Sequence, residues 1–386
     1  MPQALDGVTD RDGLAALVAQ VRAAAAERAA VAVRGSGGWW TDPPPGARAL
    51  TVDGLDAVSD FDPADLVVTV GAGTPLDRLG ERLAASGAWL PFDPPGPPSR
   101  TVGGALASGG AGPLAAHYGP ARDQVLGLSV VAGDGTVVRL GGRVVKNVAG
   151  FDLAKLVIGG HGAFGIIAEA HLRLRARPGA DRTAVWSGDA AWIERASAAA
   201  LAGAASPAAL EALSPELAAR LGWGDTWSLA ARAAGPGAGV AEELDAIGRA
   251  AGAVAARTLE GGSPWTPWRQ AVGEWPVVLR LGAEPRCWMR ALELAERHLG
   301  PRLGASATVP RGTVRVGVER CSAEEIARLR AEAAAHGWPV ILERADPATR
   351  AAAGVWGALP PAVERITRAL KVTFDPPGIL AAPLLA

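Results

Sequence analysis

Cysteine is scarce in this chain. Among the 386 residues there are only two, Cys287 and Cys321. An iron–sulfur cluster usually takes four thiolate ligands, so this chain cannot hold such a cluster by itself. Two isolated cysteines are more often reduced thiols than a disulfide, although a bond between them stays open as an alternative.

Strong net charge, long apolar runs and paired histidines are also lacking. The formal net charge is −1, which gives no electrostatic argument for binding nucleic acid or an anionic membrane. No uncharged apolar run reaches the length of about 18 residues expected of a transmembrane segment, and the N-terminus has no signal pattern, so we expect a cytoplasmic protein. We expect no metal site, because ligand spacing is absent among the five histidines, which are His117, His161, His171, His298 and His336.

Apolar residues and glycine are abundant. Hydrophobic residues make up 49% of the chain and glycine occurs 50 times, which fits a globular protein with a large core. The sequence Arg177-Pro178-Gly179 interrupts the chain, and after it strands and helices alternate twice in the order β-α-β-β-α-β. This order predicts an α+β protein whose cap consists of two ferredoxin-like halves that face each other.

The predicted organisation therefore has three parts. A first domain covers residues 1–178, an α+β cap covers residues 179–344, and a C-terminal segment, residues 345–386, is expected to return to the first domain.

Three glycine-rich blocks lie in the first part, namely Ala30–Trp40, Ser99–Gly119 and Gly141–Ile167. Glycine lets the main chain approach a ligand closely, and N–H groups at turns and helix starts suit a pyrophosphate. Each block alone also fits a tight turn or a closely packed helix entry. Together they favour a phosphate-containing cofactor.

The order of short motifs within and between the blocks is more specific. These motifs are Arg122-Asp123-x-Val125-Leu126-Gly127, then Gly133-Asp134-Gly135, and then Lys146-Asn147-x-x-Gly150-Phe151-Asp152. With them, residues 30–178 resemble the p-cresol methylhydroxylase (PCMH)-type FAD-binding domain of the vanillyl-alcohol oxidase superfamily. Within that superfamily the chain resembles the FAD-binding subunits of bacterial glycolate oxidases.

The resemblance implies FAD as the cofactor and assigns residues to it. These are Arg34, Gly35, Ser36, Gly37, Gly38, Thr101, Gly103, Gly104, Ser108, Gly109, Tyr118, Gly119, Arg122, Asp123, Lys146, Asn147, Gly150, Gly162, Gly165 and Ile167. Because the loop from Arg34 to Trp40 contains neither histidine nor cysteine, we expect the FAD to be bound without a covalent bond.

A catalytic centre is harder to locate in the sequence. The best candidate in the cap is Trp265-Thr266-Pro267-Trp268-Arg269, where tryptophan would stack and Arg269 would clamp a carboxylate. The alternative is that both tryptophans pack beneath the cap sheet. For Arg122 and Asp123, a surface ion pair is an equally good interpretation.

The resemblance implies a function as well. The chain is expected to be an FAD-dependent oxidoreductase acting on CH–OH donors, as the FAD-binding subunit of a glycolate oxidase-type 2-hydroxy acid dehydrogenase complex. A related catalytic FAD subunit and an iron–sulfur subunit would be its partners in electron transfer. The alternatives are a self-sufficient alcohol or hydroxy acid dehydrogenase, and a degenerate scaffold subunit without turnover.

Overall fold

A computed structural model describes residues 10–37, 43–142, 152–262, 264–301 and 303–381. The helices of this part are α1 (Arg11–Glu27), α2 (Leu76–Ala84), α3 (Val102–Ala107), α4 (Ala115–Tyr118), α5 (Ala121–Gln124), α6 (Ala154–Val157), α7 (Ala190–Ala202), α8 (Pro215–Arg220), α9 (Gly237–Ala251), α10 (Trp265–Glu274), α11 (Trp288–Leu299), α12 (Ala323–Ala334), α13 (Pro347–Ala353) and α14 (Pro361–Phe374). Among the described residues, no helix has the length and apolar character needed to cross a bilayer.

The strands before Gly179 build one larger sheet and two small ones. They are β1 (Val31–Arg34), β2 (Arg48–Thr51), β3 (Val58–Asp62), β4 (Val67–Gly71), β5 (Ala88–Trp89), β6 (Val125–Val131), β7 (Val137–Gly141), β8 (Ile166–Arg173) and β9 (Arg175–Ala176). Five of them form an antiparallel sheet in the order β3-β4-β8-β6-β7, while β1 pairs in parallel with β2, and β5 pairs with β9. Helix α1 packs its leucine and valine face into the same core, as its spacing predicts, and Asp10 caps it by accepting the Gly13 N–H.

The remaining strands form a single eight-stranded antiparallel sheet, called the cap sheet from here on. They are β10 (Ala180–Gly188), β11 (Ala209–Leu213), β12 (Trp227–Gly235), β13 (Arg257–Glu260), β14 (Val277–Gly282), β15 (Gly304–Thr308), β16 (Thr313–Val318) and β17 (Val340–Arg344). Their spatial order is β13-β10-β12-β11-β15-β16-β14-β17. The β-α-β-β-α-β order expected twice from the sequence is present in the second half, whereas in the first half the short helix α8 lies between β11 and β12.

The expected arrangement of the two halves is wrong. They do not face each other, because β11 pairs with β15 and joins them side by side, with Ala212 opposite Ala307. This pairing supplies hydrogen-bond partners to two strands that would otherwise be exposed sheet edges. One continuous sheet results instead of two opposed layers.

The two faces of the cap sheet differ in polarity. Helices α7, α9, α11 and α12 cover one face, which is apolar. The apolar residues of β10, β11 and β12 on the other face pack against α8 and α10. This face also includes buried or partly buried polar side chains, namely Glu211, Arg232, Arg280, Ser306, Arg315 and Glu343. Because successive side chains of a strand point to opposite faces, these polar groups share one side of the sheet.

Buried apolar residues form separate clusters. One extends from Leu14 to Leu174 and includes Ile379 and Leu380, whereas the largest cluster of the cap extends from Ala184 to Ala345. The division of the chain at Gly179 remains a proposal, and this distribution of core residues supports it.

The end of the described chain packs beside β1. Val31 donates its N–H to the Ile379 carbonyl at 2.7 Å, and Ala381 donates to Val31 at 2.8 Å. The fully buried carboxylate of Asp375 holds this tail, since it accepts the N–H groups of Ile379 and Leu380 and the Lys371 ammonium at 2.6 Å. The Asp-Pro-Pro-Gly-Ile-Leu motif thus has a structural role in closing the fold.

We therefore expect Asp375→Ala to destabilise the protein. Removing the buried carboxylate leaves two amides without their acceptor and leaves Lys371, which still donates to two carbonyls, without its counter-charge. This costs about 3 kcal/mol in the free energy of unfolding. Urea denaturation measures the change. Glu364→Ala is the control, because it removes an exposed i,i+4 ion pair with Arg368 on the same helix and should cost less than about 0.5 kcal/mol. Equal stabilities of the two variants would contradict the structural role of Asp375.

Candidate cofactor site

A cleft with about 970 Å³ of empty space lies where the three glycine-rich blocks meet. This space includes the open mouth of the cleft. The described residues that line it include eleven of those assigned from the sequence, namely Arg34, Gly35, Ser36, Gly37, Thr101, Gly103, Gly104, Ser108, Gly162, Gly165 and Ile167. Distant segments of the sequence are therefore brought to one place.

The loop after β1 lies directly against the start of α3. A Cβ atom on Gly35 would stand 2.2 Å from the Oγ1 atom of Thr101, so only glycine permits this approach. The amide groups of Ser36 and Gly37 donate no hydrogen bond to any other described residue. Both residues line the cleft.

The first turn of α3 uses its amides differently from the sequence expectation. Thr101 caps the helix by accepting the Gly104 N–H at 3.2 Å, and Gly103 donates to the Ala72 carbonyl at 2.8 Å. A Cβ on Gly103 would lie 2.6 Å from the Cβ of Ala72. Both amides therefore have acceptors within the chain, and the assignment of Gly103 and Gly104 to the cofactor stays a prediction. Gly103 permits close packing, and Gly104 borders the cleft.

The third block reaches the cleft through the turn between α6 and β8. Gly159 and His161 donate their N–H groups to Leu106 and Ala107, which ties this turn to the end of α3. The sequence predicts a helix over Asp152–Ile158 with Asp152 as its N-cap. The observed helix begins two residues later, and Asp152 pairs with Lys155 at 3.2 Å instead.

Arg100 and His161 border the cleft and were not assigned from the sequence. Arg100 is buried and donates to the Pro95 carbonyl and to the Ser108 hydroxyl, and burial lowers its pKa to about 9. Burial, followed by the charge of Arg100, lowers the pKa of His161 to about 4, so the imidazole is neutral at pH 7. Both residues lie within glycine-rich blocks of the sequence, and this position could have indicated that they border the cofactor cleft.

Several assigned residues lie away from the cleft. Gly109 packs against Gly159, while the Tyr118 ring meets Trp89 edge-on at 5.4 Å. Gly119 follows Tyr118, and Arg122 forms an exposed 3.9 Å ion pair with Asp123. The cleft gives no support to a cofactor role for these residues. Gly38, Lys146, Asn147 and Gly150 lie outside the described residues.

The cap candidate Arg269 contacts the first domain instead of bordering the cleft. Its Nε donates to the Pro94 carbonyl at 3.1 Å, and Gly96 donates to the Arg269 carbonyl. Trp265 and Trp268 are buried, with indole N–H groups bonded to Thr183 and Ser306. The alternative interpretation, tryptophan packing beneath the sheet, is the observed one.

The charge of the cleft suits an anionic, elongated cofactor. Among its described lining residues are Arg34 and Arg100 but no carboxylate, and apolar side chains such as Val33, Val52 and Ile167 line the remainder. Unused amides and positive charge fit a pyrophosphate, while the apolar side chains fit ring systems. The residues present therefore fit a dinucleotide such as FAD.

Comparisons with known proteins agree with this fit. Residues 11–141 match the family described as an FAD binding domain, and FAD is the cofactor of this domain. Glycolate oxidase subunit GlcE of Escherichia coli (strain K12) is 43% identical over 75 residues, which are 19% of this chain and 21% of that protein. Glycolate oxidase subunit GlcD of Bacillus subtilis (strain 168) is 44% identical over 66 residues, or 17% of this chain and 14% of that protein. The matched segments thus span about a fifth or less of these relatives.

Two further likenesses extend the comparison. The mitochondrial D-lactate dehydrogenase [cytochrome] of Arabidopsis thaliana is 44% identical over 75 residues, covering 19% of this chain and 13% of that protein. A solved structure of alkyldihydroxyacetonephosphate synthase is similar with a TM-score of 0.68 at 16% identity, over 95% of this chain and 74% of that one. At this identity the structural likeness shows the fold, and it covers both sheets.

We expect Gly104→Val to lose bound FAD while the protein stays folded. A Cβ at this position meets only Thr101 Oγ1, at 3.1 Å, so the valine methyl groups would enter cleft space and not the core. We expect an affinity for FAD lower by about tenfold or more. Fluorescence titration of flavin-stripped protein measures it.

Gly80→Val is the matched control, because Gly80 is also helical, is exposed and has open space around its Cβ direction. Both variants carry the same propensity cost of valine in a helix. Equal FAD affinity in the two variants would mean that the cofactor does not occupy this cleft.

Proposed function

We propose that this chain is the noncovalent FAD-binding subunit of a glycolate oxidase-type 2-hydroxy acid dehydrogenase complex. The cleft with two arginines and no carboxylate among its described lining residues carries the proposal, together with the similarity to named glycolate oxidase subunits. FAD would lie in this cleft against the Arg34–Gly37 loop, the start of α3 and the turn at Gly162.

Within this proposal the chain binds and orients the cofactor, while FAD supplies the capacity to accept a hydride. Arg34 and Arg100 provide positive charge toward the anionic part of the cofactor. The two cysteines are too few for a cluster, so electrons would leave through an iron–sulfur subunit. A related FAD subunit would be the catalytic partner, and the compartment would be the cytoplasm.

The chain has a poor set of groups for taking the hydroxyl proton of a substrate. His161 is the one histidine among the described residues of the cleft, and with a pKa of about 4 its imidazole is a weak base. Its position nevertheless favours one second candidate function, a self-sufficient FAD-dependent hydroxy acid dehydrogenase. The two functions differ in whether the isolated chain turns over.

Noncovalent binding is the first prediction of this proposal. Acid precipitation of the purified yellow protein should release all flavin absorbance into the supernatant, because the described loop Arg34–Gly37 offers no histidine or cysteine for attachment. Absorbance of the supernatant and of the redissolved pellet is compared. Colour retained in the washed pellet would contradict the proposal and would make His161 the first residue to replace.

Slow reduction of the isolated chain is the second prediction. With no strong base among the described residues of the cleft, glycolate or D-lactate in excess should bleach the visible flavin absorbance band far more slowly than in the complex with a flavoprotein and an iron–sulfur partner. Anaerobic stopped-flow absorbance measures both rates. Rapid bleaching of the isolated chain would support the self-sufficient dehydrogenase instead.

A further inference from the structure

One tryptophan that follows the cap sheet in the chain lies a single side chain away from the cofactor cleft. Trp356 belongs to the segment of residues 354–357, between α13 and α14. Its indole ring meets the His161 imidazole edge-on, with ring centroids 6.1 Å apart and ring planes at 70°. His161 borders the cleft, whereas Trp356 is not among the described residues that line it. The contact of Trp356 with the cleft is therefore indirect.

The backbone of His161 has an unusual conformation. Its φ is +50°, in the left-handed region that residues with a side chain seldom adopt, so contacts with other segments have to hold it there. The His161 N–H donates to the Ala107 carbonyl at 2.8 Å, and the imidazole meets the Trp356 ring. Both contacts help to fix the turn of residues 159–165, three of which line the cleft.

The main chain around Trp356 is itself held by the cap. Arg330 of α12 donates from Nη2 to the Gly354 carbonyl at 2.9 Å and to the Val355 carbonyl at 2.8 Å. The Val355 carbonyl also accepts the N–H of Leu342, in β17, at 2.9 Å. The Trp356 ring thus extends from a fixed segment of the cap to a residue of the first domain.

Hydrogen bonding does not explain the position of this indole. The Nε1 atom of Trp356 is buried and has no acceptor among the described residues. Four other tryptophans of the cap donate their indole N–H to a side chain, and they are Trp265, Trp268, Trp288 and Trp338. A buried polar group without a partner costs free energy, so this placement calls for another explanation, and the ring contact with His161 supplies one.

We infer that Trp356 is a positioning residue for FAD, which holds His161, and with it the turn of residues 159–165, in the arrangement that forms the cofactor cleft. The inference rests on the proposed function, because it takes the cleft as the FAD site. It adds to that site a residue of the cap that does not line the cleft. Its loss should weaken cofactor binding by releasing the strained turn, although no contact with the cofactor is removed.

Fluorescence titration of flavin-stripped protein with FAD compares Trp356→Ala with the wild-type chain. We expect the affinity to fall roughly three- to tenfold, as the loss of one aromatic contact implies. Trp356→Phe keeps a ring at this position and should restore the affinity to within about twofold of the wild-type value. Trp338→Ala is the matched control, because Trp338 stacks on His336 at 4.7 Å and neither is among the described lining residues. This control should destabilise the buried core of the cap and leave the affinity for FAD unchanged.

The pKa of His161 is a second measurement, one that general destabilisation does not change. Burial is the largest cause of its pKa of about 4. The charged groups that also act on the imidazole are Arg100, Glu343, Arg280 and Arg350. Without the Trp356 indole, water reaches the imidazole, so we expect the pKa to rise from about 4 towards 6.5 in Trp356→Ala and to stay at about 4 in Trp338→Ala. Nuclear magnetic resonance of histidine-labelled protein measures it, and His161→Gln identifies the signal.

Trp356→Leu serves as a second variant should the alanine variant fold poorly, because it keeps an apolar side chain without the ring. We expect the same two changes at smaller size. Wild-type affinity for FAD in the Trp356 variants, an equal loss in Trp338→Ala, or an unchanged pKa of His161 would overturn the inference alone. A wild-type chain that binds no FAD would contradict the proposed function, and this inference with it.

Discussion

Guanidinium groups of the cap donate hydrogen bonds to main-chain carbonyls of residues 94–115, and the candidate site depends on these contacts. Arg269 reaches the Pro94 carbonyl, Arg315 the Ala111 carbonyl, and Arg311 the Ala115 carbonyl. Buried carbonyl groups of a loop need partners, and charged donors make the stronger bonds. Because this segment contains α3, the cap also fixes the position of one side of the cleft.

The polarity of the cap sheet explains how such an interface forms. One face packs against four helices, whereas the opposite face, beside α8 and α10, presents buried charged and hydroxyl side chains to the first domain. The pKa values of its carboxyl groups then follow their neighbours: burial dominates at Glu211, while two arginines dominate at Glu343. A polar interface of this kind keeps charged groups close to the cofactor cleft.

The cleft itself shows two different uses of glycine. Gly35 allows the loop after β1 to touch Thr101, and Gly103 allows α3 to touch β4 and the residues after it. Sequence reasoning treated both as ligand-binding positions, although at Gly103 the close contact is with the chain's own main chain. A glycine pattern indicates where backbone approaches something, but it does not say whether the neighbour is a ligand or another segment.

Local patterns in the sequence determined most of the secondary structure. The spacing of leucines and valines predicted α1, and the alternation over Ile166–Arg175 predicted β8, which ends two residues earlier. The motif blocks also indicated FAD and the three segments that meet at the cleft. These features depend on neighbours within a few residues, so a single sequence contains the information.

Only the tertiary structure decided which groups meet across long separations. The pairing of β11 with β15, the contact of Arg269 with Pro94, and the meeting of His161 with Trp356 each join residues whose distance along the chain carries no periodic signal. Side-chain exposure likewise distinguished two arginines that the sequence had assigned to the same cofactor. Arg34 lines the cleft, whereas Arg122 lies on the surface. The sequence by itself determined the helices and strands and the cofactor. The packing of the two sheets determined which charged side chains are buried beside the cofactor cleft, because the burial of a side chain depends on what covers its face of the sheet.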